Sequence, residues 1–203
     1  MPPRFKTSPP PQALLDAAEA VALRDGVARL TFDAVAAEAG MSKGGVLHHF
    51  ASKEQLIEAM VRRTAEEWRE CYMSAYESTP EGPGRMARGI LSHCLMGDES
   101  WTEPLRRRFS CVLAALAQNP SLVQSMRETY SDIYTRLEHD GLPPGTGEAI
   151  GAAIDGIWLS WAMRFCDVEA DFLSRIHRVL STLLEQALSQ TATADQSNTI
   201  KES

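Results

Sequence analysis

Apolar residues recur at intervals of three and four along almost the whole chain, and no convincing run alternates with period two. That spacing is the mark of amphipathic helices and leaves no strand from which to build a sheet. Gln12 to Arg24 places Leu14, Leu15, Ala18, Val21 and Ala22 on one stripe, which Gly26 stops. Thr31 is a good N-cap for a short helix over 32–39, with Asp33 in its first turn and Gly40 at its end. Ser42 caps a second short helix to about His49. Ser52, with Gln55 three residues on, forms a capping box for a longer helix that reaches 75–77. Thr79-Pro80-Glu81-Gly82-Pro83-Gly84 reads as a loop. Beyond it the pattern predicts helices at about 84–96, 102–118, 121–139, 146–166 and 169–190. Their breaks are Gly97-Asp98, Asn119-Pro120 and Gly141-Leu142-Pro143-Pro144-Gly145. The expectation is an all-α fold of about nine helices, with a disordered Pro-rich arm over 1–11 and a disordered polar tail over 191–203.

Composition narrows the function classes. The apolar share of 44% in 203 residues suffices for a sizeable core. No stretch reaches the ~18 uninterrupted apolar residues of a membrane span, and the N-terminus lacks the apolar region of a secretory signal. A cytoplasmic protein without a membrane partner is expected. Cys71, Cys94, Cys111 and Cys166 are far apart and form no CxxC, which favours reduced thiols over disulfides or zinc. The net charge of −7 is unevenly spread. Residues 1–63 hold eight Lys/Arg against seven Asp/Glu, a balance of +1, which leaves −8 for the remainder. The N-terminal part is thus free to approach phosphate if its few cations share a face.

The segment from Thr31 to Lys53 carries the strongest functional signal. Two short capped helices joined by Ala39-Gly40-Met41-Ser42 are the elements of a helix-turn-helix. In the second helix Val46 and Phe50 are four apart and share the inward face. Lys43, Gly44, Leu47 and His48 then point outward, with Gly45 and His49 on a flank. Two adjacent glycines cost a helix roughly 1 kcal/mol each against alanine, which suggests that something approaches the backbone closely. His48 and His49 diverge by about 100° on a helix and cannot chelate one metal, and no HExxH is present. No metal and no cofactor are expected. Lys53 follows a helix N-cap, where the dipole favours a phosphate nearby.

Leu15, Ala17-Ala18, Gly26, Leu30-Thr31, Val35-Ala36, Ala39-Gly40-Met41-Ser42-Lys43-Gly44, His49-Phe50 and Ser52-Lys53-Glu54 with Leu56 resemble the N-terminal signature of TetR-family transcriptional regulators, over about residues 12–60. The resemblance implies a three-helix DNA-binding head, here 12–57, and a divergent six-helix body for ligand binding and dimerisation, here 58–190. It implies double-stranded operator DNA as a partner. Thr31 takes the place of a phosphate-contacting residue. Lys43, Gly44, Gly45, Leu47, His48 and His49 take recognition-helix positions at the major groove or its walls, next to the capping Ser42. Lys53 takes the place of a lysine that reaches the phosphate backbone. Leu47 departs from the family, which usually has a tyrosine there. Leucine cannot donate to phosphate but can contact a thymine methyl.

The body offers two further expectations. Gly147, Gly151, Ala152, Gly156 and Ser160 place small residues along one helix, and Ile176, Val179, Leu180, Leu183 and Leu184 make the next strongly apolar. The resemblance implies that these last two helices build a four-helix bundle across a homodimer two-fold, with Gly151, Gly156, Ile176, Leu180 and Leu183 in the interface. Packing only within the subunit is the alternative. Met96, Trp101, Phe109, Trp158, Trp161 and Phe165 suggest a largely apolar effector cavity, with Asp155 as its polar anchor. Each of these is also an ordinary core residue type, and Asp155 equally suits helix packing. Arg106-Arg107-Arg108 can pair with acids, face solvent or receive an anion; solvent is the default for at least two of them. The function expected is a ligand-responsive regulator, a repressor released from a pseudo-palindromic operator by a small apolar molecule. The alternatives are a thiol-based redox regulator using Cys94, Cys111 or Cys166, and an all-helical enzyme, for which no nucleophile–base pair or phosphate loop is visible.

Overall fold

The computed structural model describes residues 12–96 and 101–201, the side chains of Cys94, Met96 and residues 194–201 apart. Among the described residues there are nine α-helices and no strand: α1 (Gln12–Asp25), α2 (Phe32–Ala39), α3 (Lys43–His49), α4 (Lys53–Ser78), α5 (Arg85–Met96), α6 (Glu103–Gln118), α7 (Val123–Glu138), α8 (Thr146–Ala162) and α9 (Ala170–Lys201). Single 3-10 turns precede α2 and α7, at Val27–Arg29 and Pro120–Leu122. The expected arm over 1–11 and the break at Gly97-Asp98 lie outside the described residues.

The chain divides into two units. The first comprises Met1–Ala65 and Arg107–Met126, the second Glu66–Arg106 and Arg127–Ser203. The first unit is therefore not the continuous 12–57 segment, because α6 contributes most of its length to it.

In the first unit α1 buries the stripe that the sequence marks out: Leu14, Ala18 and Val21 are fully enclosed, with Leu15 and Ala22 close behind. Val35 and Val46 are also fully enclosed and carry α2 and α3 into the same core. Each such aliphatic side chain contributes about 1.5–3 kcal/mol by leaving water. The turn between α2 and α3 is fixed by three local devices. The Thr31 hydroxyl accepts from the Ala34 amide at 3.2 Å. Gly40 adopts φ +65, a left-handed conformation that lets the Met41 amide reach back to the Ala36 carbonyl at 2.9 Å. The Ser42 hydroxyl accepts from the Gly45 amide at 3.1 Å. The expected capping box of α4 is shifted by one residue. Ser52 accepts from the Gln55 amide, but Gln55 returns its acceptor to the Ala51 amide, at 2.9 Å.

In the second unit α5, α7, α8 and α9 share a core built on Met86, Ile90, Leu137, Ile150, Ile154 and Leu180. The N-terminus of α5 is capped from far along the chain. The two carboxylate oxygens of Asp140 accept from the Met86 and Ala87 amides, each at 2.9 Å. Burial pushes the Asp140 carboxyl up, against the Ala87 and Met86 amides that favour its charged form. Gly147 and Gly151 on α8 are buried against α7. A Cβ on Gly147 would lie 2.6 Å from the Leu137 carbonyl oxygen, and one on Gly151 would lie 2.8 Å from the Leu137 side chain.

Two helix ends differ from the sequence expectation. α8 stops at Ala162 rather than near 166, because Arg164 turns left-handed at φ +57 and the Phe165 amide closes on the Ser160 carbonyl at 2.8 Å. No glycine or proline marks this end. α9 continues to Lys201, beyond the end expected near 190 and into the segment expected to be disordered, since Thr191 to Lys201 contains no helix breaker.

Gly147→Ala is expected to destabilise the fold by about 1–3 kcal/mol, because backbone cannot yield to the added methyl. Urea denaturation checks this; a midpoint unchanged from wild type would mean that the α7–α8 approach is looser than described.

Candidate nucleic-acid interface and ligand cavity

The second short helix, α3, presents the face its spacing implies. Val46 is fully buried and Phe50 nearly so, whereas Lys43, Gly44, Leu47 and His48 are exposed. Leu47 is 44% exposed, a large apolar side chain left partly in water. A Cβ on Gly44 would meet nothing closer than the Ser42 hydroxyl at 3.9 Å, so packing within the chain does not require glycine there. The flanking His49 is half-buried, and its ring meets that of His48 edge-on at 5.3 Å. Among the described residues no group of three or more His, Cys, Asp or Glu could hold a metal ion.

The polar residues expected at this face are engaged locally. The Thr31 and Ser42 oxygens accept the capping amides, which leaves each hydroxyl proton free to donate. Lys43 pairs with Asp33 at 2.8 Å, both well exposed. An exposed pair contributes about 0–1 kcal/mol, so it yields readily to a phosphate or a base edge. The Lys53 ammonium donates to the Ala28 carbonyl at 2.8 Å, tying the start of α4 to the 3-10 turn before α2.

An ion-pair network in the first unit was not foreseen. The Arg63 guanidinium on α4 is buried and bridges Asp16, at 2.7 Å, and Glu19, both on α1. Arg108 on α6 meets the same Glu19 at 3.3 Å. Burial alone would pull the Arg63 guanidinium down, but Glu19 and Asp16 more than offset it and hold it firmly charged. Arg106 is also buried, donating to Glu103 at 2.6 Å and to the Ala162 carbonyl. Solvent exposure thus holds for Arg107 alone in the Arg106–Arg108 run. Apolar neighbours lie beside Glu19 and Arg108: a small pocket is lined by Leu23, Val27, Ile57, Met60, Val112 and Ala115. Cys111 lines it, and burial, helped by Glu19, pushes its thiol up. That disfavours the thiolate a redox sensor needs.

The residues expected to line one ligand cavity separate. Trp101, Trp158 and Trp161 do come together: Trp101 stacks on Trp158 at 4.6 Å, and Trp161 meets both edge-on at 5.1 and 5.2 Å. Phe109 is buried in the first unit instead. Phe165 is 73% exposed, because the left-handed Arg164 turns it out of the α8 stripe. The expectation for Met96 falls on a side chain outside the described residues. Asp155 lines a second, small cavity with Tyr72, Tyr130, Tyr134, Ile90 and Ile133. Its carboxylate accepts from the Tyr134 hydroxyl at 2.7 Å and from Tyr130 at 3.3 Å. Burial pushes the Asp155 carboxyl up, while the Tyr134 and Tyr130 hydroxyls pull it down. Burial, and then the bond to Asp155, push the Tyr134 phenol up, so it remains a neutral donor. The three tyrosines were missed. Tyr130 and Tyr134 lie four apart and so share a helix face, a legible signal, but nothing in the sequence pairs that face with Asp155.

Residues 14–60 match the model for bacterial regulatory proteins of the tetR family, and residues 84–185 match the tetracyclin repressor-like C-terminal domain. The chain belongs to the TetR family. It is similar to the HTH-type transcriptional regulator BetI of Stenotrophomonas maltophilia, 26% identical over 141 residues, which cover 66% of this chain and 71% of that protein. The BetI of an Escherichia coli strain is 24% identical over 159 residues, 74% of this chain and 79% of the relative. Among solved structures, the multidrug binding protein EbrR in complex with malachite green is 27% identical with a TM-score of 0.65, covering 85% of this chain and 96% of that one. The same protein in complex with ethidium is 28% identical, with a TM-score of 0.56 and the same coverage. This TetR-family chain is a ligand-responsive transcriptional regulator with a helix-turn-helix for operator DNA. Among the described residues no helix is long and apolar enough to cross a membrane.

Arg63→Ala is expected to cost about 3 kcal/mol, since it removes the buried guanidinium and leaves the half-buried Glu19 with Arg108. Chemical denaturation measures this; a loss below about 1 kcal/mol, the range of an exposed pair, would show that the bridge is not a buried one.

Proposed function

We propose that this regulator is a repressor that binds a pseudo-palindromic operator as a homodimer in the cytoplasm, and that a small, largely apolar effector bound by its second unit releases it. The observation that carries the DNA reading is the outward face of α3, where Leu47 is exposed and packing within the chain does not require Gly44. On this reading Gly44 and Gly45 let the backbone approach the groove, with His49 at its wall. Lys43, Leu47 and His48 meet base edges, while Thr31, Ser42 and Lys53 meet phosphates. Lys53 would exchange the Ala28 carbonyl for a phosphate oxygen. A non-enzymatic role agrees with the family match.

A two-fold operator needs a two-fold protein. Exposed Ala152, Gly156 and Leu159 on α8 and Met163 just past its end, with Val179 and Leu183 on α9, supply the unpartnered apolar surface for it. Of the interface residues expected from sequence, Gly156 and Leu183 remain in this set and Ile176 is half-buried at its edge. Gly151 and Leu180 are buried within the subunit, so they support the interface only from beneath. The effector reading rests on the Trp101–Trp158–Trp161 cluster and the Asp155 cavity. It is supported by likeness to EbrR, whose structures hold malachite green and ethidium.

Three measurements test these assignments. Each lost phosphate contact lowers the slope of log affinity against log salt by about 0.9, so Lys53→Ala in a dimer should lower it by roughly two and weaken all sequences alike. Leu47→Ala should leave the slope and lose about 1–3 kcal/mol of discrimination at symmetric base positions. Titration of specific and scrambled DNA at several salt concentrations reads both; a Lys53→Ala that changes specificity but not slope overturns the docking. A Cβ on Gly156 meets nothing within 4 Å in its own subunit. Gly156→Leu should therefore abolish the dimer while the helical content survives, as sedimentation and circular dichroism would report. An unchanged dimer removes α8 from the interface.

A further inference from the structure

Gly89 brings α5 onto α4. A Cβ there would lie 2.9 Å from the Ala75 carbonyl oxygen and 3.1 Å from the Thr79 hydroxyl, so only glycine fits this crossing unshifted. Arg85, one turn earlier on α5, donates to the Tyr76 and Thr79 carbonyls at 3.0 and 2.8 Å and pins the same end of α4. One turn onward on α5, and one turn back on α4, the crossing meets His93 and Cys71. Their side chains touch across 22 residues of chain: Cys71 Sγ lies 2.8 Å from His93 Nε2. Both residues are exposed.

A thiol against an imidazole differs chemically from a thiol alone. With its own proton on Nδ1, His93 accepts the Cys71 hydrogen through Nε2, and it can take that hydrogen fully as the sulfur attacks. Burial pushes the Cys71 thiol up, although the residue reaches solvent. The resting pair is therefore neutral, and the thiolate forms only during attack. A thiolate drawn from a weakly acidic thiol is the stronger nucleophile. Cys111 differs, because the negative charge of Glu19 adds to burial there and opposes a thiolate.

The neutral pair attracts no charged reagent. It offers one nucleophile and one transferable proton, which is what addition across an activated C=C bond consumes. Sulfur bonds to the β-carbon, and the π pair moves onto the α-carbon and carbonyl oxygen as an enolate. The imidazolium Nε2–H then returns the proton to the α-carbon. No group leaves, no oxidant is needed, and His93 ends as it began. We propose that Cys71, with His93 as general base, is a covalent capture site for small neutral α,β-unsaturated carbonyl compounds. It is an input separate from the effector cavity. Gly89 leaves the crossing no slack, so an adduct on Cys71 must displace His93 or spread the two helices. The consequence for operator binding rests on the DNA reading above; capture itself does not.

The full chain is treated with methyl vinyl ketone in the absence of DNA, and modification of each cysteine is followed by mass spectrometry of its peptide. At neutral pH native Cys71 should react about tenfold or more faster than the same residue in the chain unfolded by guanidinium chloride, since a placed base supplies ~100-fold or more. Access alone predicts the reverse, because burial only hinders an unassisted thiol. A native rate at or below the unfolded one overturns the proposal without recourse to any variant. His93→Gln, which keeps a polar side chain and removes the base, should lose the advantage at neutral pH. The gap should close at alkaline pH, where hydroxide ionises the thiol unaided. An equal rate at neutral pH overturns the role of His93, and faster loss of Cys71 to hydrogen peroxide than to the ketone at equal concentration overturns the reagent class. Operator affinity should fall about tenfold on treatment of wild type, within the usual range of coupling between sites, and the response should vanish in Cys71→Ser. If modified wild type binds operator unchanged, the capture site stands and its part in regulation fails.

Discussion

The turn between α2 and α3 governs what this regulator can present to DNA. Gly40 is left-handed, the Thr31 and Ser42 hydroxyls satisfy the first free amides of the two helices, and Val35 and Val46 pin both helices to the α1 core. With those few constraints the rotation of α3 about its own axis is set. Lys43, Gly44, Leu47 and His48 face outward because Val46 and Phe50 face inward, and a rotation of one residue, about 100°, would swing both sets off their faces. Each device is local and cheap, about 1 kcal/mol for a cap, yet together they fix the direction of every candidate base contact.

A second, non-local constraint lies behind the first. Glu19 is ion-paired with Arg63 on α4 and with Arg108 on α6, so three helices of the first unit share one ionic junction. Buried ion pairs add little net stability but penalise any arrangement that separates them, which makes them better at specifying geometry than at supplying energy.

In the second unit the polar groups do the positioning and the small residues permit it. Asp140 caps the first free amides of α5 from a distant loop, and Gly147 lets α8 approach the α7 backbone closely. That close approach places Tyr130 and Tyr134 over Asp155. The small-residue stripe of α8 therefore serves two faces: Gly147 and Gly151 turn inward to α7, while Ala152 and Gly156 remain exposed. Helical spacing records that a residue is small and where it lies around the axis, but not which neighbour arrives there.

Helix count, most helix ends, the inward stripe of α1 and the outward face of α3 were legible in the order of residues alone. They depend on period, caps and glycine stops, all of which act within a few positions of chain. The family signature over about 12–60 was legible for the same reason, being a local pattern of a short capped turn. The end of α8 was not, because Arg164 takes a left-handed conformation without a glycine to announce it. Nor was the fate of Phe109, Phe165, Gly151 and Leu180, nor the company of Asp155. An apolar or acidic side chain carries no label for its partner. Only packing in three dimensions decides whether it meets the chain's own core, solvent or a cavity, because the contacts that decide it are tens of residues apart and are made only when the helices pack.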